Sequence, residues 1–279
     1  MTPGGPPAVR RKSSRISWRS TAIALVSTVV VFGGLIWIVV NAPNWPAVQE
    51  AFLDGPIFWY SLPLLIQAFW KNVQLFLIAE AVILPLALVI AVMRGLPGPA
   101  FLPLRALATG YVDIFRALPG ILVIYVLGFG IPGLGIPGVP TDPFFWAIVA
   151  LTLIYSAYVS EVYRSGIESV HPSQEAAARS LGLSRIQALR HVILPQAVRR
   201  VVAPLLNDFI GLQKDTVLVS VIGVVEIFRR AQIIQSANFN FTPYLGVALV
   251  FIVVTIPLAR FTDWLVARDK QRGAGGSAR

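Results

Sequence analysis

Six long apolar runs limit what this chain can fold into. A helix that crosses a membrane needs about 20 mostly apolar residues. The run Thr21–Val40 carries no charge, and 74–93 is interrupted only by Glu80. The run 111–130 carries Asp113 and Arg116 near its start. The runs 144–163 and 244–266 are further candidates, and 201–225 is the most polar, broken by Asn207, Asp208, Lys214 and Asp215. Only 13% of the 279 residues are charged and 56% are hydrophobic. Soluble domains carry about 25% charged residues, so a soluble enzyme has little room here. The expected fold is an all-α integral membrane protein with six transmembrane helices. The chain has no cysteine, which excludes disulfides, thiolate metal sites and cysteine nucleophiles. Its two histidines, His171 and His191, share one polar stretch, and no metal site is expected.

Basic residues orient the spans, because loops rich in Lys and Arg stay cytoplasmic. Arg10, Arg11, Lys12, Arg15 and Arg19 precede the first run, and Arg94 and Arg105 lie between the second and third. Arg164, Arg179, Arg185, Arg190, Arg199 and Arg200 lie between the fourth and fifth. Arg260, Arg268, Lys270, Arg272 and Arg279 end the chain. The opposite loops hold only Lys71, Arg229 and Arg230. Both termini are therefore expected in the cytoplasm, in a bacterial plasma membrane. The net charge of +10 reads as basic loops, not as a nucleic-acid footprint.

The same reading divides the chain. Residues 1–20 form a disordered basic tail, and 21–40 an extra N-terminal transmembrane helix. The latter exceeds the 7–15 residues or so of a signal-peptide core, with no small-residue cleavage site after it. Residues 41–71 form an outer interfacial segment carrying Trp45, Phe58, Trp59, Tyr60, Phe69 and Trp70. Residues 72–266 form the transmembrane domain, with a cytoplasmic loop at 165–199, and 267–279 a second tail.

That loop parses into two short helices. Ser173 is placed to cap the first, with Gln174 and Glu175 in its first turn, where the helix dipole favours acid. Ala176, Ala177 and Ala178 form its centre, and Gly182 ends it. Ser184 caps the second, Gln187 completes a capping box, and Pro195 limits it. Three exposed alanines would let another surface approach closely, with Arg179 and Arg185 beside them to pair with its acidic groups. An ordinary amphipathic loop helix has the same pattern.

On these residues the loop resembles the coupling-helix signature of ABC importer permeases: Glu-Ala-Ala, three residues, Gly, nine residues, Ile, one residue, Leu-Pro. Gly182 sets the register, Ala177 and Ala178 fill the two Ala positions, and Leu194 and Pro195 the last two. Ala176 stands where the signature has Glu, with Glu175 one residue earlier, and Val192 stands for Ile. The segments 155–170, 194–200 and 212–223, Glu226, and Phe115-Arg-Ala-Leu-Pro resemble the polar amino-acid uptake family of this class, so the likeness spans roughly 69–266.

The resemblance implies a five-helix type I ABC importer permease core plus the N-terminal helix, and a chain that is not an enzyme. It implies a cytoplasmic ABC ATPase dimer that binds the ATP and docks on 173–181, an extracytoplasmic solute-binding protein, and a second permease chain, identical or related. The cargo it implies is a small amino acid. The sequence itself has no Gly-x-x-x-x-Gly-Lys-Ser/Thr loop, and no cofactor is expected in it. Another small polar solute, such as an amino-acid derivative, stays open as cargo. A self-sufficient secondary transporter or channel is the reading from a different class. An intramembrane enzyme would need a convergent catalytic set, and no span holds histidine or cysteine.

Charges at membrane depth are costly and mark a pathway or a partner. Lys214 and Asp215 sit well inside the fifth run, with Gln213 and Thr216 continuing the polar stretch. They supply a donor for a carboxylate and an acceptor for an ammonium, but adjacent residues project about 100° apart, so a pair held by neighbouring spans or across a dimer interface is the equal alternative. Arg116 lies one turn before Pro119, which frees a carbonyl and favours a kink. Arg116 would line a pathway, or pair with Asp113 three residues away. Glu80, alone in an apolar run, would line a pathway or bond a neighbouring span. Glu161 and Arg164 read as a structural pair, and Glu226, Arg229 and Arg230 as an outer surface turn or a receptor contact.

Overall fold

A computed structural model describes residues 18–276, and the side chains of Ser20, Arg185 and 269–276 lie outside that description. Most of the tail expected at 1–20 therefore also lies outside it. Among the described residues every regular element is helical. The chain divides into two units, Met1–Leu53 and Asp54–Arg279. The first holds α1 (Trp18–Val40) and the short α2 (Trp45–Phe52). Side chains all around α1 are exposed, Val29, Phe32 and Trp37 among them, which suits a helix whose solvent is lipid.

The second unit begins with α3 (Gly55–Gly95). The Asp54 carboxylate caps it by accepting from Ile57 N–H at 2.9 Å, and Pro56 fits the first turn, where no N–H is needed. At 1.5 Å per residue its 41 residues reach about 60 Å, twice the hydrocarbon thickness. The boundary expected at 71/72 therefore falls inside one helix, which is longer than the apolar layer is thick.

α4 (Leu102–Ala117) and α5 (Gly120–Tyr125) meet at a bend of 106°. Leu118 is extended because it precedes a proline, and Pro119 has no N–H to continue the ladder. The kink expected at Pro119 is thus a full break. A π turn at Val126–Gly130 and the short α6 (Ile131–Gly133) complete this arm. α7 (Pro143–Glu168), capped by Asp142 through Phe144 N–H at 3.0 Å, packs along α3.

α8 (Pro172–Ser180) and α9 (Arg185–Ala188) follow, then a π turn at Leu189–Ile193 and α10 (Leu194–Asp215). A 3₁₀ segment at Thr216–Ile222 ends at Gly223, whose φ of +94° suits glycine. α11 (Ile227–Asn238) and α12 (Thr242–Gly276) close the unit, and α12 runs through much of the tail expected at 267–279.

Among the described residues four helices are long and apolar enough to cross a membrane, and the bent α4–α5 pair makes a fifth. α10, counted from the sequence among six spans, is too polar to pass by composition. It packs against α7, α12 and α3. Gly166 permits the α7–α10 approach, since it lies directly against Val201 and Ala197. The main core joins Leu75, Ile83, Ile124, Leu151, Leu212 and Val219, and a second cluster joins Leu65, Ile227 and Val247.

Candidate functional site

α8 stands at the end of the unit where α3 and α7 terminate, here called the near side. Pro172 occupies its first turn, and His171, not Ser173, caps it. The His171 Nδ1 lies 3.2 Å from Ser173 N and 2.8 Å from Ser173 Oγ. Proline presets helical φ at the first position, so the cap moves two residues back from the one expected. Gln174 and Arg179 are exposed, and Glu175 is half-buried. Ala176 and Ala177 face outward, but Ala178 is buried, so the exposed small face is two alanines wide, not three.

Gly182 ends α8 at φ +87°, its N–H donating to the Arg179 carbonyl at 2.9 Å. The capping box forms as expected: Ser184 N–H donates to Gln187 Oε1 at 2.8 Å and Gln187 N–H to Ser184 Oγ at 3.3 Å. Pro195 does not stop the second helix. It sits in the first turn of α10, where a missing N–H costs nothing, and the π turn carries α9 into it. Two side chains passed over in the sequence project here, Leu181 at 84% exposed and Ile186 at 77%. The side chain of Arg185, expected to flank this face, lies outside the described residues. Just inside, Glu161 bridges Arg94 of α3 at 2.5 Å and Arg164 of its own helix, and Arg164 reaches Glu168 at 2.6 Å. The pair expected to be structural is thus a tie between helices.

Deeper in the unit the polar residues separate. Asp215 is half-buried and accepts from the Tyr155 hydroxyl at 2.8 Å, whereas its neighbour Lys214 is exposed. Gln213 is buried, accepts from Thr255 Oγ1 at 3.1 Å, and has no partner for Nε2 among the described residues. Half-buried Glu80 of α3 lies within electrostatic reach of Asp208 on α10. Asp208 and Asp215, both on α10, also act on Tyr155 of α7. Among the described residues Arg116 does not pair with Asp113. It is exposed and its guanidinium lies 5.8 Å from the Tyr158 ring centre.

At the far end, Thr216 belongs to a buried knot. Asn72 Nδ2 donates to Thr216 Oγ1 and to Glu226 Oε2, both at 3.0 Å, and Asn72 Oδ1 accepts from Ile227 N–H at 3.1 Å. Glu226 caps α11, accepting from Phe228 N–H at 3.0 Å and Arg229 N–H at 2.7 Å. Burial pushes the Glu226 carboxyl above the usual glutamate range, and the Phe228, Asn72 and Arg229 donors pull it part of the way back. The surface turn expected at Glu226 is therefore a fully buried cap, and only Arg229 of that group is exposed. Among the described residues no cluster of acids and histidines is arranged to hold a metal.

Residues 83–271 match the family described as binding-protein-dependent transport system inner membrane component. The chain belongs to that family. This permease is 35% identical over 217 residues to a probable glutamine ABC transporter permease protein, GlnM, of Bacillus subtilis, a match covering 77% of the chain and 98% of that protein. It is 35% identical over 207 residues to the glutamate transport system permease protein GluC of Corynebacterium glutamicum, covering 70% of the chain and 90% of that protein. Its fold resembles a crystal structure of an amino acid ABC transporter with histidines, with a TM-score of 0.68 and 32% identity over 74% of this chain and 94% of the other. The MetNI methionine transporter in an inward-facing form shares the fold alone, with a TM-score of 0.62 and 18% identity over 77% and 99% of the two chains.

The permease is thus a multi-pass, non-catalytic transport component, as the loop signature implied. Sequence reasoning missed Asn72 because a single amide in an apolar run carries no periodic signal. It noted Asp208 only as an interruption, and nothing local shows that the residue lies near Glu80.

Proposed function

We propose that this permease is the transmembrane subunit of an ATP-driven ABC importer of polar amino acids in a bacterial plasma membrane, with both termini cytoplasmic. The observation that carries the reading is the near-side knob. Ala176 and Ala177 present a low surface that a partner can approach closely, and Leu181 and Ile186 expose apolar area beside it, the pattern of a docking site. A cytoplasmic ABC ATPase dimer docks there and binds and hydrolyses the ATP, so the permease needs no cofactor of its own. A solute-binding protein delivers cargo to the far side, and a second permease chain, identical or related, completes the pore. The named cargoes of the relatives support amino acids over other polar solutes.

In this reading closure of the ATPases pushes α8 as a lever, and the π turn at Leu189–Ile193 passes the motion to α10. α10 carries Gln213, Lys214 and Asp215, and these three line the substrate pathway with Glu80 of α3 and Arg116 of α4, while Thr216 just beyond anchors the end of that stretch through its buried bond to Asn72. The carboxylates of Glu80 and Asp215 are disposed toward the ammonium end of a substrate. Lys214 and Arg116, both exposed, are disposed toward the second chain or toward the substrate carboxylate.

The test is to extract the tagged permease from its native membrane in mild detergent, identify co-purifying proteins by mass spectrometry, and measure ATP-dependent amino-acid uptake after reconstitution. An ATPase and a solute-binding protein are expected to co-purify. Transport by the chain alone, without ATP, would overturn the proposal in favour of a self-sufficient carrier.

A further inference from the structure

A cavity of about 430 Å³ opens at the far end, between α5 and its π turn on one side and the 3₁₀ segment and α11 on the other. Its wall includes Tyr125, Phe129, Ser220, Gly223, Arg229 and Gln232. That volume lies within the 300–1,000 Å³ or so typical of small-molecule sites.

Three polar side chains in this wall have unused capacity. Ser220 is 7% exposed, and its hydroxyl makes no hydrogen bond among the described residues. The residue is buried while its hydroxyl opens on the cavity wall, where it is free to bond a ligand. Arg229 has no carboxylate partner among the described residues. Its Nη1 donates to Gln232 Oε1 at 3.0 Å, which pairs two side chains of the cavity wall and leaves the Gln232 amide nitrogen as a further donor. Opposite stand the rings of Tyr125 and Phe129, stacked with centres 5.9 Å apart. The cavity thus offers a guanidinium, an amide and a hydroxyl to an anion, and aromatic faces to a cation. That arrangement matches a zwitterion, with the carboxylate on Arg229 and the ammonium over the rings.

The wall is also held in place. The 3₁₀ segment ends at Gly223, three residues before Glu226, which the buried Asn72 locks to α3 at 3.0 Å. A site built on such a segment is preformed and needs little ordering when the solute arrives.

We propose that this cavity is an outer subsite that receives the α-carboxylate and α-ammonium of an amino acid before it reaches the carboxylates between α3 and α10. The inference rests on the amino-acid reading above and deepens it. A protein side chain from the solute-binding protein is the rival occupant. The position of Ser220, recessed at 7% exposure while Arg229 is exposed, favours the small molecule, since a docking protein would reach Arg229 first and leave Ser220 unpaired.

The experiment uses the whole permease–ATPase complex in nanodiscs without the solute-binding protein. Radiolabelled L-glutamine, L-glutamate and L-arginine are the probes, with their methyl esters as competitors. The wild type is expected to bind at least one probe, with the ester competing poorly. Arg229→Gln is expected to weaken that binding about 10- to 100-fold, the worth of a charge-assisted pair, while Arg229→Lys retains part of it. Ser220→Ala, a smaller change at a site with no other bond to lose, is expected to weaken it several-fold. Surface capture of the solute-binding protein by the same variants should be unchanged. Unaltered probe binding in both variants overturns the subsite, and loss of solute-binding-protein capture with probe binding intact reassigns the cavity to docking. If the wild-type complex with its binding protein transports no amino acid, the amino-acid reading falls and the subsite falls with it.

Discussion

Replacing Asn72 by alanine tests how the far end of the permease is held. The Asn72 side chain is 2% exposed and makes three hydrogen bonds, to Thr216 Oγ1, Glu226 Oε2 and Ile227 N–H. Thr216 loses least, because its hydroxyl still donates to the Gln213 carbonyl at 2.8 Å. Ile227 N–H loses more, since a first-turn donor has no partner within its own helix. Glu226 loses one of three donors while fully buried. Hydrogen bonds between helices in membranes average about 0.6 kcal/mol, which sets a floor of about 2 kcal/mol for three. Leaving a buried amide and part of a carboxyl unsatisfied costs about 1–3 kcal/mol each and raises the expected loss to about 5 kcal/mol. Denaturant unfolding in mixed micelles reads this loss directly. Asn72→Asp should be worse, because it removes both donations and sets a second carboxyl against Glu226. The companion Thr216→Val should be sub-additive with Asn72→Ala, since the two share a bond. A loss below about 1 kcal/mol for Asn72→Ala would refute the claim that the knot holds α11 to α3.

Other outcomes follow from the same structure. Gly166→Ala should force α7 from α10 and cost about 1–3 kcal/mol in the same assay, with Val201→Ala in the double variant restoring most of it. Ala177→Trp should abolish uptake while membrane insertion, followed by fractionation, stays normal; full uptake would remove α8 from the docking assignment. Asp215→Asn should slow transport, most for cationic substrates, and an unchanged uptake panel would take Asp215 out of the pathway. The Glu226 carboxyl is raised in the folded state, so its contribution to stability is full below the usual glutamate range and is lost as pH rises through the raised value. Glu226→Gln should flatten that slope in pH-dependent unfolding, and a slope of the same size in the variant would place its origin elsewhere.

Much of the architecture was legible in the chain because its signals are local. Apolar run length is a property of consecutive residues, and a continuous apolar run of about 20 residues satisfies its backbone in lipid as a helix, since barrel strands alternate. Gly182 and the Ser184–Gln187 box were readable for the same reason, since a cap is decided within four residues. The break at Pro119 follows from a ring that carries no N–H, although its size, 106°, does not. Even local rules failed where two of them competed: at His171–Ser173 the proline decided the cap, and at Pro195 the same residue type opened a helix.

What the tertiary structure alone decided concerns partners distant along the chain. Sequence set Lys214 beside Asp215, and packing sent one outward and the other to Tyr155, 60 residues earlier. Glu226 reads as part of an outer turn until Asn72, 154 residues before it, is found donating to it in the interior. Glu80 and Asp208 acquire meaning together, and only α3 lying near α10 brings them together. The length and polarity of each helix are written in its own residues. Which polar side chain meets which is a property of the helix pairing, because a helix face at membrane depth has no water to satisfy it and takes its partner from whichever helix packs there.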